Sequence, residues 1–155
     1  MSITADILGT YRAPRRVLSR RTQGGPREDR AIAILLAGCL LVFVSQWPAL
    51  ARAAFEDDSV PLDARIGGAL LAWIFVAPLI AYVVAALSHV IARLFGGRAS
   101  WYEARMALFW ALLAASPLWL LNGLVAGMIG PGPALNVVGA IALGAFLVIW
   151  GAGLW

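Results

Sequence analysis

Within the long apolar runs of this chain only Cys39, Tyr82 and His89 carry groups that could titrate, attack or ligate a metal. His89 follows Ser88 and sits about one helical turn before Arg93. A histidine so placed could hold a cofactor metal or relay a proton, the chemistry of a redox subunit. It stands alone, so a structural role is expected, bonded to a neighbouring helix or reaching the headgroups. A lone histidine cannot supply both protein axial ligands of a haem, and a lone cysteine can build neither a disulfide framework nor a thiolate metal site. No carboxylate lies inside any run, which disfavours proton-coupled transport. Glu56, Asp57, Asp58 and Asp63 could offer oxygen ligands to a divalent cation, but their spacing follows no calcium-loop pattern. A solvated acidic loop is expected there. The sequence carries no phosphate-cradling glycine loop, nucleophile elbow or metalloprotease helix motif. It reads as non-enzymatic, with no cofactor and no metal site.

The elements that would position these groups are plain. Met106 to Trp155 contains no Asp, Glu, Lys, Arg or His. The chain is 62% hydrophobic and 13% charged, against roughly 25% charged in an average soluble domain. Hydrocarbon explains that composition, because it excludes each Arg or Asp at a cost of about 2.5–3.5 kcal/mol. Four apolar runs are expected to be spans, at about 31–51, 66–92, 106–129 and 135–155. Each approaches or exceeds the roughly 20 helical residues that cross about 30 Å of hydrocarbon. None alternates as a barrel strand would. The expected fold is all-α, a polytopic transmembrane bundle of four spans.

Charge sets the expected orientation. All twelve basic residues are Arg, and seven of them lie in residues 1–30. The loop after the first span is acidic, the next carries Arg93, Arg98 and Arg105, and the last is the uncharged turn Gly130-Pro131-Gly132-Pro133. Arginine in alternate loops predicts a cytoplasmic N-terminus and an outward acidic loop. Ile3, Ile7, Leu8 and Tyr11 recur at helical spacing ahead of Arg12, Arg15, Arg16, Arg20 and Arg21. Residues 1–30 therefore read as a cytoplasmic amphipathic arm, with Pro14 dividing two short pieces and the arginines at anionic headgroups. A basic pI of this origin points to a lipid surface and not to nucleic acid.

Packing signals come next. Gly123 and Gly127, Ala81 and Ala85, and Ala140 and Gly144 are small-residue pairs at i,i+4 that let helix backbones approach closely. Asn122, beside Gly123, needs a partner across a helix interface. These faces could serve the bundle itself, a second copy, or another membrane protein. Pro78 and Pro117 should kink their spans or free carbonyls for neighbours to satisfy. Among seven tryptophans, Trp47, Trp101 and Trp155 fall near span ends, where indole can stay half wet.

Leu94-Phe95-Gly96-Gly97-Arg98-Ala99-Ser100, then Ala104-Arg105, an apolar run and Ala115-Ser116-Pro117, resembles the Yip1 family. In that family a Gly-Gly-basic-small cytoplasmic loop precedes a helix broken at a small-residue-Pro step. Tyr11-Arg12-Ala13-Pro14 fits the same pattern, so the resemblance covers roughly residues 10–150. Family members usually have five spans where four are counted here. The resemblance implies a helical membrane protein of the bacterial cytoplasmic membrane, with eukaryotic relatives associated with vesicle trafficking and small GTPases. The function expected is that of a scaffold or accessory subunit in a larger membrane assembly. An oligomeric channel or transporter component, and then a redox subunit using His89, are the alternatives.

Overall fold

The computed structural model describes residues 2–155, and all its regular structure is helical. Two short helices, α1 (Ile3–Thr10) and α2 (Pro14–Thr22), form the arm. Ser2 caps α1 by accepting from the Ala5 N–H at 3.3 Å, and Pro14 opens α2, where its missing N–H costs nothing. The first long helix joins α3 (Glu28–Ser45) to α4 (Trp47–Glu56). Glu28 and Asp29 complement the dipole at its start. Its continuity is interrupted at Gln46, just ahead of Pro48, whose ring cannot serve the ladder.

The second joins α5 (Leu62–Leu71) to α6 (Ala77–Leu94) through a wide π turn over Ala72–Val76. Pro78 has no N–H for the Ile74 carbonyl, and the wider turn, closed by Ala77 N–H to the Ala72 carbonyl, carries the chain past it. The helix stays continuous over 33 residues. Pro117 acts differently. Helices α7 (Trp101–Ala114) and α8 (Ser116–Met128) meet at 43°. After the turn at Gly130, whose φ is +87°, α9 runs Pro133–Ala152.

Glu28–Glu56, Leu62–Leu94 and Pro133–Ala152 are long and apolar enough to cross a membrane, and α7 with α8 makes a fourth if the bent pair is one span. The helices overrun the apolar runs at most of their ends: 62–94 where 66–92 was expected, and 101–128 where 106–129 was expected. The boundary drawn at residue 30 falls inside α3.

Helix α7 is the centre. Met106, Ala107, Phe109, Trp110 and Ala111 are fully buried, on every side of it. Its alanines at 104, 107, 111 and 114 let α3, α6, α9 and the arm approach together. By contrast, only 6% of the most apolar stretch of α5–α6 and 11% of that of α9 is buried. Those stretches present broad apolar flanks outward, while Ala85, Ser88, His89 and Ala92 toward the end of α6 are buried.

The motif behind the family resemblance has local physics of its own. Gly96, at φ +85°, ends α6 in the left-handed conformation, and the Gly97 N–H reaches the Ala92 carbonyl at 2.7 Å. Ser100 then starts α7 with a reciprocal cap: it accepts from the Glu103 N–H at 3.2 Å while Glu103 accepts from the Ser100 N–H at 2.6 Å.

Candidate functional site

At the interruption between α3 and α4, helix α8 lies very close. A Cβ at Gly123 would overlap the Ser45 carbonyl oxygen, and one at Gly127 would overlap Pro48. Only glycine lets α8 lie so near the Gln46 break. Arg52 ties the far end, donating to the Gly127 carbonyl at 3.2 Å and pairing with Glu56 at 2.8 Å. Ala85 is fully buried and Ala81 packs beside it against the core, with Tyr82 edge-on to Phe109 at 5.1 Å. Ala140 and Gly144 behave otherwise. Both are exposed, and no atom lies within 4 Å of where a Gly144 Cβ would stand. The inward face of α9 is instead Gly139, Ala142 and Ile149.

Asn122 finds no hydrogen-bond partner for its buried Oδ1, which faces Gly139. One turn earlier the buried Trp119 Nε1 also lacks a partner. Both residues line a cleft of about 340 Å³ beside Ser45, Gln46 and Trp73 of the π turn.

His89 is 3% exposed, stacked under Trp101 with ring centroids 4.0 Å apart. The indole covers the imidazole, so of the two structural roles open to His89 the side chain does not take the one that reaches the headgroups. Cys39 is buried in the core at the Trp73–Phe109 level. In the acidic loop Glu56, Asp57 and Asp63 are engaged within the chain. Asp57 accepts from the Ser59 N–H at 3.0 Å and pairs with Arg65 at 3.4 Å, and Arg65 also holds the Val60 carbonyl. Hydrogen bonding from Ser59, then the Arg65 charge, holds the Asp57 carboxyl below its usual range. Among the described residues no group of three or more His, Cys, Asp or Glu side chains is placed to hold a metal ion.

The densest polar arrangement joins the arm to α7, and nothing in residue spacing announces it. The Trp110 Nε1–H donates to Thr10 Oγ1 at 2.9 Å, both side chains being fully buried. The Arg21 guanidinium lies 3.7 Å above the Trp110 ring and pairs with Asp6 at 2.6 Å. The Tyr11 hydroxyl donates to the Ala114 carbonyl at 2.7 Å. That carbonyl is free because the Leu118 N–H, its ordinary helical donor, bonds Ala115 at the Pro117 bend. Tyr11 thus supplies the donor that the bend removes. Val17 and Leu18 are buried beneath the same hairpin, Leu18 against Gly153 of the chain's end. Of the arginines assigned to the membrane surface, Arg12, Arg15 and Arg16 are exposed, whereas Arg20 and Arg21 turn to Asp6. A tyrosine a hundred residues from a proline step leaves no local signal in a sequence.

No family model, curated protein or solved structure matches this chain.

Proposed function

We propose that the chain is a four-span integral membrane protein, its N-terminus and Arg98 loop cytoplasmic, that works by binding and without catalysis, as a scaffold or accessory subunit of a larger membrane assembly. The observation that carries this reading is the outer surface of α5–α6 and α9. Leu79, Ile80, Val83, Leu87 and Ile91 stand out from a helix whose most apolar stretch is only 6% buried in its own fold. The small pair Ala140 and Gly144 faces outward beside them in character, where a second helix could approach closely. The bent α7–α8 pair counts as the third span, because the head of α7 meets α3 through Arg105 and Glu28 while the tail of α8 meets α4 through Arg52. The Yip1-type loop and bend support the same reading.

The test is photo-crosslinking in native membranes from residues 83 and 144, with residue 142, buried against the fold, as the reference. The expected result is a discrete protein adduct from 83 or 144 and none from 142. Lipid adducts alone from both outward positions would overturn the reading.

A further inference from the structure

The cytoplasmic side of the fold contains a cleft of about 560 Å³ between the arm and α3. Arg20 and Arg21 from the end of α2 and Arg30 from the first turns of α3 converge on it. Asp6 is the one carboxylate in its lining, so three guanidiniums share a single compensating charge. Asp6 is already engaged, by Arg21 at 2.6 Å and Arg20 at 3.6 Å. Arg21 retains a buried Nε with no hydrogen-bond partner. Its pKa is pushed down from the usual arginine value, first by burial, with Arg30 and Arg20 acting in the same sense and Asp6 against them. The described lining therefore carries an excess of positive charge, and the Arg21 Nε lacks an acceptor.

Its other wall is apolar. Ala33 and Ala37, one turn apart on the exposed side of α3, line it together with Ile34 and Leu113. Guanidiniums beside small apolar side chains in one cleft match a phospholipid, with its phosphate among the guanidiniums and an acyl chain along the alanines.

We infer that Arg20, Arg21 and Arg30 form a binding site for the phosphate of an anionic phospholipid, whose chain lies along Ala33, Ala37 and Leu113. Bidentate guanidinium contacts favour a phosphate over a zwitterionic headgroup, whose ammonium would meet three like charges. The site differs from the general attraction of the arm to acidic lipid: it is a cleft within the fold, and Arg12, Arg15 and Arg16 lie outside its lining.

The inference rests on the membrane reading above, which alkaline carbonate extraction tests separately: release of the chain by carbonate would overturn both. For the site itself, the full chain in mild detergent is titrated with phosphatidylglycerol or phosphatidylcholine, and retained lipid is counted by native mass spectrometry. One phosphatidylglycerol should be retained where phosphatidylcholine is not. Arg30→Gln should weaken that retention about fivefold, while Arg12→Gln should leave it unchanged. If Arg30→Gln does not fold, as judged by its thermal transition, Arg20→Gln is read in its place. Equal retention of the two lipids, or unaltered retention in the cleft variant that folds, would overturn the site. Displacement of the lipid by millimolar inorganic phosphate would overturn the lipid assignment in favour of a soluble phosphate. Phosphatidylglycerol held against inorganic phosphate supports it.

Discussion

At the scale of single residues, the informative side chains are those that repair what another residue breaks. Pro117 bends the third long helix and leaves the Ala114 carbonyl without its backbone donor, and the Tyr11 hydroxyl fills the place. Removing that hydroxyl leaves a partly buried carbonyl unsatisfied, at a cost of about 1 kcal/mol or somewhat more. Tyr11→Phe should therefore lower the thermal transition of the detergent-solubilised protein and speed proteolysis within residues 12–25, while the spans stay protected. Equal cleavage of variant and parent would show that the bond does not hold the arm. Thr10 and Trp110 make the complementary case, because the buried Trp110 N–H has an acceptor beside it where that of Trp119 has none. Neither pairing could be read from spacing. Each partner is unremarkable alone, and the physics that joins them acts across the fold.

At the scale of helices, three prolines in similar apolar surroundings have three outcomes. Pro48 follows an interruption, Pro78 follows a π turn that keeps its helix whole, and Pro117 accompanies a 43° bend. The small-residue pairs divide in the same way. Gly127→Leu should strongly destabilise the protein, since even a Cβ there overlaps Pro48, whereas Gly144→Leu should leave the isolated protein's thermal transition within about 0.5 kcal/mol of the parent. A Gly127→Leu protein as stable as its parent would mean that α8 does not press on the α3–α4 junction. Sequence reading found helices, apolar lengths and small-residue periodicity, because those depend on local composition. It could not tell that Gly123 and Gly127 face inward while Ala140 and Gly144 face out, because an i,i+4 spacing marks a stripe and not what lies opposite it. The cover of His89 was equally out of reach of spacing, since Trp101 comes from the far side of the Gly96–Gly97 turn.

At the scale of the molecule, the charged residues gather at two ends. Arg105 meets Glu28 at one, and Arg52 meets Glu56 and the Gly127 carbonyl at the other. Under the proposed orientation, cysteines placed at residues 58 and 98 should react with an impermeant thiol reagent from opposite sides of the membrane. Labelling from one side alone would overturn the four-span topology. The arm gives the whole chain one further property, which belongs to its synthesis. Tyr11 and the residue it bonds are 103 positions apart, and Leu18 packs against Gly153. At roughly 5–20 residues per second, the arm leaves the ribosome about 5–20 s before α7 exists to receive it. Through that interval Val17 and Leu18 do not have the α7 surface that covers them in the fold. The arm thus waits on a helix made long after it to find its place.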